Sequence, residues 1–293
     1  MLATLGDLVE DVIVRLDGPV NVASDTPATI SHRRGGSAAN TAVAAAREGA
    51  AARFLGQVGT DAIGGALLDE MAELGVDVSM ARRSGSTGTI VALVDDRGER
   101  SMLTDRRTCT HLADPDLTWL DDVDVLHVPF YSLAEGATAA TARTVIGWAH
   151  ERGIAVSIDL SSTAVMAAFG IEEVRRSMVE LTPTIVFANR DETAAFGTRS
   201  TPAGTLLVEK RGPDAAVLHR SRGSAVEVPA IAVAGVDDTT GAGDAFAAGF
   251  LTADWHADPV DACESGHRVA AGLLTSRATR RRRRRRSGRR CRV

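Results

Sequence analysis

A short segment of the chain combines paired glycines with a carboxylate at the start of a helical stretch. It reads DTTGAGD over residues 238–244 and continues into an apolar sequence. Glycines at a helix start let free backbone N–H groups converge on an anion, and the helix dipole adds to the attraction. A carboxylate inside this turn, Asp244, suits a base that accepts a proton from an attacking hydroxyl. The segment therefore predicts phosphoryl-transfer chemistry, although a glycine-rich helix start with a capping aspartate would look the same.

A second glycine pair, Gly35-Gly36, lies far upstream and also precedes a helical stretch. Paired glycines allow a ligand to approach the backbone closely. Asn40, in the first turns of that stretch, offers both donors and an acceptor, which suits vicinal hydroxyls. These residues are candidates for binding a polyol, and a tight turn before a helix explains the glycines equally well.

Asn189 and Glu192 follow the apolar segment Thr184–Ala188 directly. Side chains at the carboxyl ends of parallel strands line the ligand crevice of an α/β sheet. Glu192 can hold a water molecule on Mg²⁺, which prefers oxygen ligands and keeps several waters. The alternative is a helix start at which the dipole favours acidic residues.

Short β-branched segments alternate with Ala- and Leu-rich segments along most of the chain. The predicted strands are Ala3–Leu5, Phe54–Val58, Val123–Val128, Ala155–Asp159, Thr184–Phe187, Thr205–Glu209 and Ala216–His219. The predicted helices are Ala39–Glu48, Gly64–Leu74, Ala137–Arg152, Ile171–Leu181, Glu192–Phe196, Asp244–Ala253 and Pro259–Ser276. This alternation predicts an α/β fold with a mostly parallel sheet covered on both faces.

Two further regions read as extended segments without a following helix. Their segments are Asp11–Leu16, Thr29–His32, Thr87–Val94 and Arg100–Thr104. The sequence Asp95–Gly98 is a turn signal and predicts a hairpin in the second region. We expect the two regions, about 11–34 and 86–105, to form a small β-sheet lid apart from the main sheet.

The whole composition is that of a globular protein, with 44% hydrophobic and 24% charged residues among 293. No run of about 18 apolar residues is present, so we expect no transmembrane helix and no membrane partner. The three cysteines lack paired spacing, which argues against a disulfide framework or a zinc site. A reducing cytoplasm is therefore the expected location.

The charge is distributed unevenly. The formal net charge is −5, but residues 280–286 are an unbroken arginine run in the segment 280–293. A block of like charge cannot bury enough surface to offset its ordering entropy, so we expect this tail to be disordered. Such a run attracts phosphate backbones, which makes a nucleic-acid-binding protein an alternative. No aromatic platform accompanies the run, and no specific nucleic-acid partner is expected.

Taken together, these motifs resemble those of the ribokinase-like (PfkB) family of carbohydrate and nucleoside kinases. One signature is matched from Gly35 to Gly64, the more specific one by residues 238–244, and an N-x-x-E motif by Asn189 and Glu192. The resemblance covers residues 1–278. It implies a three-layer α/β/α, Rossmann-like sandwich over residues 1–279 with the lid inserted in it. It also implies transfer of the ATP γ-phosphoryl group to a hydroxyl of a small sugar.

The resemblance further implies a role for each matching residue. The catalytic group comprises the base Asp244 and the anion-hole backbone of Gly241, Ala242 and Gly243. Four residues bind the substrate: Asp11, Gly35, Gly36 and Asn40. Three residues approach the nucleotide: Asn189, Lys210 and Gly212. Two residues serve metal ions: Glu192 for Mg²⁺ through water, and Asp238 for a monovalent cation such as K⁺.

The chain departs from the family pattern at its C-terminal end, where the usual Gly-Ala turn is replaced by Thr275–Thr279 and then by polyarginine. A nucleoside kinase and a non-catalytic sugar or nucleotide sensor on the same fold remain as alternatives. The pair Arg106-Arg107 beside the lid is compatible with an acidic or phosphorylated substrate and with a solvated pair. Dimeric relatives imply a homodimer paired through the lid.

Overall fold

The computed structural model describes residues 1–95, 97, 99–220, 224–236 and 238–288, with side chains described up to residue 278. The strands are β1 (Leu2–Leu5), β2 (Val9–Leu16), β3 (Ala28–Gly35), β4 (Ala52–Leu55), β5 (Gln57–Val58), β6 (Val76–Asp77), β7 (Arg82–Arg83), β8 (Gly88–Val94), β9 (Arg100–Asp105), β10 (Val125–Pro129), β11 (Ala155–Asp159), β12 (Ile185–Asn189), β13 (Leu206–Lys210), β14 (Ala216–His219) and β15 (Ala225–Val228). The helices are α1 (Ser37–Arg47), α2 (Ala62–Glu73), α3 (Tyr131–Ala134), α4 (Gly136–Glu151), α5 (Thr163–Phe169), α6 (Ile171–Leu181), α7 (Arg190–Phe196), α8 (Ala242–Leu251) and α9 (Pro259–Gly288).

The main sheet has the strand order β15-β14-β13-β12-β11-β10-β1-β4-β6. All neighbours from β13 to β6 pair in parallel, and β14 and β15 extend the sheet with antiparallel pairs. Successive side chains of a strand point to opposite faces. Accordingly, Val186 and Leu207 belong to one hydrophobic core, while Phe187 and Val208 belong to the other. The two cores confirm the predicted three-layer arrangement.

The predicted lid is also confirmed, as a separate sheet with the order β3-β2-β8-β9. Its central strands β2 and β8 pair in parallel, and each outer strand pairs antiparallel with its neighbour. The β8–β9 hairpin turns at Asp95, whose carboxylate accepts the N–H groups of Arg97 and Glu99. Asp96 and Gly98 lie outside the described residues.

Two predicted elements differ from the structure. The strand expected at Phe54–Val58 is divided at Gly56, because β4 pairs within the main sheet whereas β5 pairs with β7 in a separate two-stranded sheet. The tail was expected to be disordered, but residues 280–288 continue α9; residues 289–293 lie outside the described part. Arginine is a good helix former, and elongating a helix that is already packed avoids the cost of nucleation.

The described helices include none with both the length and the apolar character needed to span a bilayer. Cys109 and Cys263 are buried and carry free thiols.

Candidate active site

Helices α1 and α8 pack against each other and both begin at a glycine with a positive φ. Gly36 precedes α1 with φ 97°, and a Cβ there would lie 2.1 Å from the Asp7 carbonyl oxygen. Gly241 precedes α8 in the left-handed conformation, with φ 73°. Only glycine adopts such backbone readily. Each glycine motif therefore begins a helix, and the two helices lie in contact.

The Asp244 carboxylate lies between these helix starts and is held at both oxygens. The Ser37 hydroxyl donates to Oδ1 at 2.6 Å, and the Asn40 side-chain amide donates to Oδ2 at 3.0 Å. Burial raises the pKa of Asp244 above its ordinary value, although these hydrogen bonds favour the ionised form. The arrangement fixes an acceptor whose basicity is increased, as a general base requires.

The DTTGAGD turn is the place where the anion hole is expected. Among the described residues, the N–H groups of Gly241 and Gly243 have no hydrogen-bond acceptor. The Ala242 N–H donates to the Thr239 carbonyl oxygen at 3.0 Å, so it is engaged in the turn itself. The Lys210 ammonium lies 3.3 Å from the position that a Cβ of Gly243 would occupy. The Lys210 ammonium therefore lies beside a helix start with two N–H groups that lack an acceptor among the described residues, an arrangement that suits an anion.

Three of the expected substrate residues lie near this turn and near the candidate base Asp244. The Asp11 carboxyl group on β2 packs against Gly35, where a Cβ would come within 2.2 Å of Oδ1. Burial raises the pKa of Asp11, and the neighbouring Asp244 carboxylate raises it further. The structure thus brings Asp11, Gly35 and Asn40 together with the candidate base.

Asn189 and Glu192 form a capping box at the start of α7. The Asn189 Oδ1 atom accepts the Glu192 N–H at 2.9 Å, and Glu192 Oε2 accepts the Asn189 N–H at 2.8 Å. Burial raises the pKa of Glu192 to about 7, and the nearby Asp159 carboxylate adds to the shift. The alternative reading of this motif, a capped helix start, is therefore what the structure contains.

Asp159 is a site residue that the sequence reasoning did not identify. It ends β11, and its carboxylate accepts from the Lys210 ammonium. Burial lowers the pKa of Lys210, but the charges of Asp159 and Glu192 outweigh it, and the net shift is upward. Two buried carboxylates beside the anion-hole turn fit Mg²⁺, which is commonly held by one or two carboxylates together with substrate phosphates.

Gly212 lies apart from this constellation. It occupies an exposed turn between β13 and β14 with φ 62°, and no other group in the described part of the chain comes within 4 Å of its Cβ position. Its predicted contact with a nucleotide gains no support from neighbouring side chains. Ser37, by contrast, contacts the base but was not predicted, although it directly follows the glycine pair.

Asp238 is surrounded by arginines and does not fit a monovalent cation. Arg33 Nη1 lies 3.1 Å from Oδ2, Arg100 Nη2 lies 2.7 Å from Oδ1, and Arg277 Nη1 lies 3.7 Å from Oδ1. Burial opposes ionisation of Asp238, but hydrogen bonds from Arg100 and Thr240 hold its pKa well below the ordinary value. The donor set around this carboxylate is already cationic, so it offers no net negative charge to K⁺.

Comparisons with known proteins indicate the family and the fold of this chain. The family model for pfkB family carbohydrate kinases matches residues 1–283. An ATP-dependent ribose-1-phosphate kinase from Halopiger xanaduensis is 32% identical over 277 residues, covering 91% of this chain and 88% of the relative. A fructokinase from Vibrio alginolyticus is 28% identical over 272 residues, covering 86% of this chain and 88% of the relative.

Solved structures share the fold over almost the whole chain. Adenosine kinase from Sinorhizobium meliloti superposes with a TM-score of 0.81 at 24% identity, covering 93% of each chain. An uncharacterised sugar kinase from Pyrococcus horikoshii in complex with ATP gives a TM-score of 0.78 at 22% identity, covering 92% of this chain and 91% of that one. With the family match, these likenesses establish a ribokinase-type fold and an ATP-dependent phosphotransferase. The chain belongs to the pfkB family of carbohydrate kinases.

Proposed function

We propose that this chain transfers the γ-phosphoryl group of ATP to a hydroxyl of a small sugar, with Asp244 as the general base. The observation that carries the proposal is the position of the Asp244 carboxylate. Ser37 and Asn40 hold both of its oxygens at the N-terminus of α8. The N–H groups of Gly241 and Gly243, which find no acceptor within the described ranges, belong to the same turn. Phosphoryl transfer depends on positioned groups and on stabilisation of charge, and a fixed base beside an anion hole supplies part of both.

In the proposed reaction, Asp11 and Asn40 orient the sugar with one hydroxyl toward Asp244. Asp244 accepts the hydroxyl proton while the oxygen bonds to the γ-phosphorus. The bond between that phosphorus and the bridging oxygen breaks, and ADP leaves with the electron pair. Backbone N–H groups at Gly241 and Gly243 stabilise the charge on the phosphoryl oxygens throughout, because they point to a fixed place before the reaction begins.

The nucleotide side of the site is assigned to Asn189 and Lys210, whereas Gly212, expected there from the family resemblance, has no neighbouring side chain among the described residues that supports the role. The Lys210 ammonium beside Gly243 can pair with a phosphate as a point charge. Asp159 and Glu192 would hold Mg²⁺, with Glu192 acting through a water molecule. When bound, Mg²⁺ neutralises charge on the ATP phosphates. Each Glu192 oxygen retains an unused lone pair beyond its capping contact, so the capping box leaves room for that role.

A sugar is favoured over a nucleoside as the acceptor. The relatives with full-length sequence similarity are named as kinases of ribose-1-phosphate and of fructose. The likeness to adenosine kinase, at 24% identity, concerns the fold alone. The intact base and anion hole also favour catalysis over a purely sensory role. The buried free thiols of Cys109 and Cys263 favour a reducing, cytoplasmic location.

The test is Asp244→Asn, assayed by ADP release over a panel of sugars and nucleosides. We expect turnover to fall about 10²–10⁴-fold, because the amide cannot accept the proton, with ATP binding retained. Asp69→Asn on the exposed face of α2 is the matched control and should retain full activity. Turnover of Asp244→Asn near that of the control would remove Asp244 from the mechanism.

A further inference from the structure

A cavity of about 580 Å³ adjoins the candidate active site, between the lid strands β2 and β3 and the helices α1, α2, α8 and α9. Asn40 and Gly241 form part of its wall. Five arginines line the cavity: Arg15, Arg33, Arg34, Arg47 and Arg277. Among the residues that the structure describes, the lining carboxylates are those of Glu70 and Asp238. The cavity therefore carries an excess of positive charge in a chain whose net charge is −5.

The surroundings of Arg34 show that the carboxylates of the cavity only partly compensate its positive charge. Its side chain is only 10% exposed and lies 3.4 Å from the Glu70 carboxylate through Nε. That Nε is buried without a hydrogen-bond partner in the described part of the chain. Burial lowers the pKa of Arg34, and repulsion from Arg47 lowers it further, although Glu70 opposes the shift. A buried cation is costly unless it is well paired, so an anion in this cavity would be stabilised.

Two of the cavity arginines, Arg34 and Arg277, lie close to the residues around Asp244. Arg34 Nη1 donates to Asn40 Oδ1 at 2.8 Å, and the same amide donates through Nδ2 to Asp244. Arg277 Nη2 lies 3.9 Å from the Cβ position of Gly241, which itself lies 3.7 Å from Asp244 Oδ2. A ligand held by these guanidinium groups would therefore be within a side-chain length of the base.

The cavity lies on the substrate side of the site. Arg15, Arg33 and Arg34 belong to the β2–β3 hairpin, and β2 also carries Asp11. The pair Arg106-Arg107 does not offer the same chemistry. The Arg106 guanidinium binds Asp7 at both oxygens and also binds Glu135, while Arg107 is paired with Asp105.

We propose that this cavity binds a phosphate group that the substrate already carries, so that the chain phosphorylates a sugar monophosphate. The inference rests on the proposed function and narrows its substrate class. Guanidinium groups bind phosphate oxygens in pairs of parallel hydrogen bonds, and several guanidinium groups match the double charge of a phosphate monoester better than the single charge of a carboxylate.

The experiment compares a pentose and a hexose, each offered as the free sugar, the monophosphate and the sugar acid. We expect kcat/KM for a monophosphate to exceed that for its free sugar by about 10–100-fold, the effect of hydrogen bonds to a charged group. Arg47→Ala and Arg15→Ala should raise the KM for the monophosphate about tenfold and leave the KM for ATP unchanged. Arg199→Ala, on an exposed 3₁₀ turn, is the matched control.

The outcomes separate this inference from the proposed function. Efficient phosphorylation of free sugars, with no effect of Arg47→Ala or Arg15→Ala, would overturn the inference and leave the proposed function standing. A preference for sugar acids, or a raised KM for ATP in both variants, would also overturn it. If Asp244→Asn and the wild type were equally inactive on every acceptor, the proposed function itself would fail, and the inference with it.

Discussion

Burial raises the pKa values of both Asp11 and Asp244. The two carboxylates have different neighbours, however, and different proposed roles. Asp244 accepts hydrogen bonds from Ser37 and Asn40, whereas Asp11 packs against Gly35. The role of Asp244 was predicted from its glycine-rich motif, and that of Asp11 was implied by the family resemblance. The sequence could not predict the Ser37 contact, because that hydrogen bond joins residues 207 positions apart and depends on the packing of α1 against α8.

Asp11→Ala should weaken sugar binding by about 1.5–3 kcal/mol, because it removes a charge-assisted hydrogen bond to a hydroxyl. The affinity for ATP should not change. Isothermal titration calorimetry with the sugar and with ATP separately gives both values. Asp17→Ala, an exposed position just after β2, serves as the control. A loss confined to ATP affinity would place Asp11 on the nucleotide side of the site.

The arginines around Asp238 lead to a second prediction at this scale. Because Arg33, Arg100 and Arg277 already compensate this carboxylate, activity should be the same in KCl, NaCl and tetramethylammonium chloride. The three salts are compared at equal ionic strength, since guanidinium–phosphate contacts are themselves screened by salt. Stimulation by K⁺ alone would show that a cation site forms despite the arginines.

At the scale of elements, hydrophobic periodicity predicted the strands and helices with strong patterns. Strands β11 and β14 and helix α6 have the predicted bounds. Short elements such as α3 and α5 were not predicted, because four to seven residues give too little periodicity to recognise. The division of the strand at Gly56 follows from the pairing of its two halves in different sheets, and local sequence does not encode such distant pairing.

The lid has two outer strands, β3 and β9, and every residue of β9 is exposed. Exposed sheet edges tend to pair with another chain. The exposed apolar side chains Ile30, Met102 and Leu103 lie on these strands. We therefore expect a homodimer paired through the lid, with a molar mass by light scattering of twice that of the chain.

Leu103→Lys should shift this dimer to monomer, because it places a charge in the apolar part of the paired surface. Val179→Lys, on the exposed face of α6 far along the chain, is the matched control and should leave the molar mass unchanged. A wild-type chain that remains monomeric at high concentration would contradict the dimer.

At the scale of the whole molecule, acidic and basic groups are separated along the chain. Ten arginines lie within residues 280–293, and the body without them is strongly acidic. Within the body, five arginines line one cavity, and Lys210 lies near the DTTGAGD turn. The charge run was evident in the sequence. The cavity was not, because its arginines come from β2, β3, α1 and α9 and meet only in the fold.

This separation leads to a prediction about a chain that ends at Thr279. The truncated chain keeps Arg277, which donates to the Thr240 carbonyl oxygen beside the anion-hole turn. Thermal stability and ATP affinity should therefore match those of the full chain. Binding to heparin should be lost, because the arginine run is the part that attracts polyanions without sequence preference, and in the full chain it should weaken steeply as salt increases.

Differential scanning calorimetry, ATP titration and heparin binding at two salt concentrations measure these properties on both chains. Residues 280–288 only lengthen α9 beyond Thr279, and elongating a helix that is already formed adds little stability per residue. The truncation should consequently cost little stability. A drop in ATP affinity on truncation would mean that residues beyond Thr279 belong to the nucleotide site, and that the tail acts in catalysis and not as a separate polyanion-binding segment.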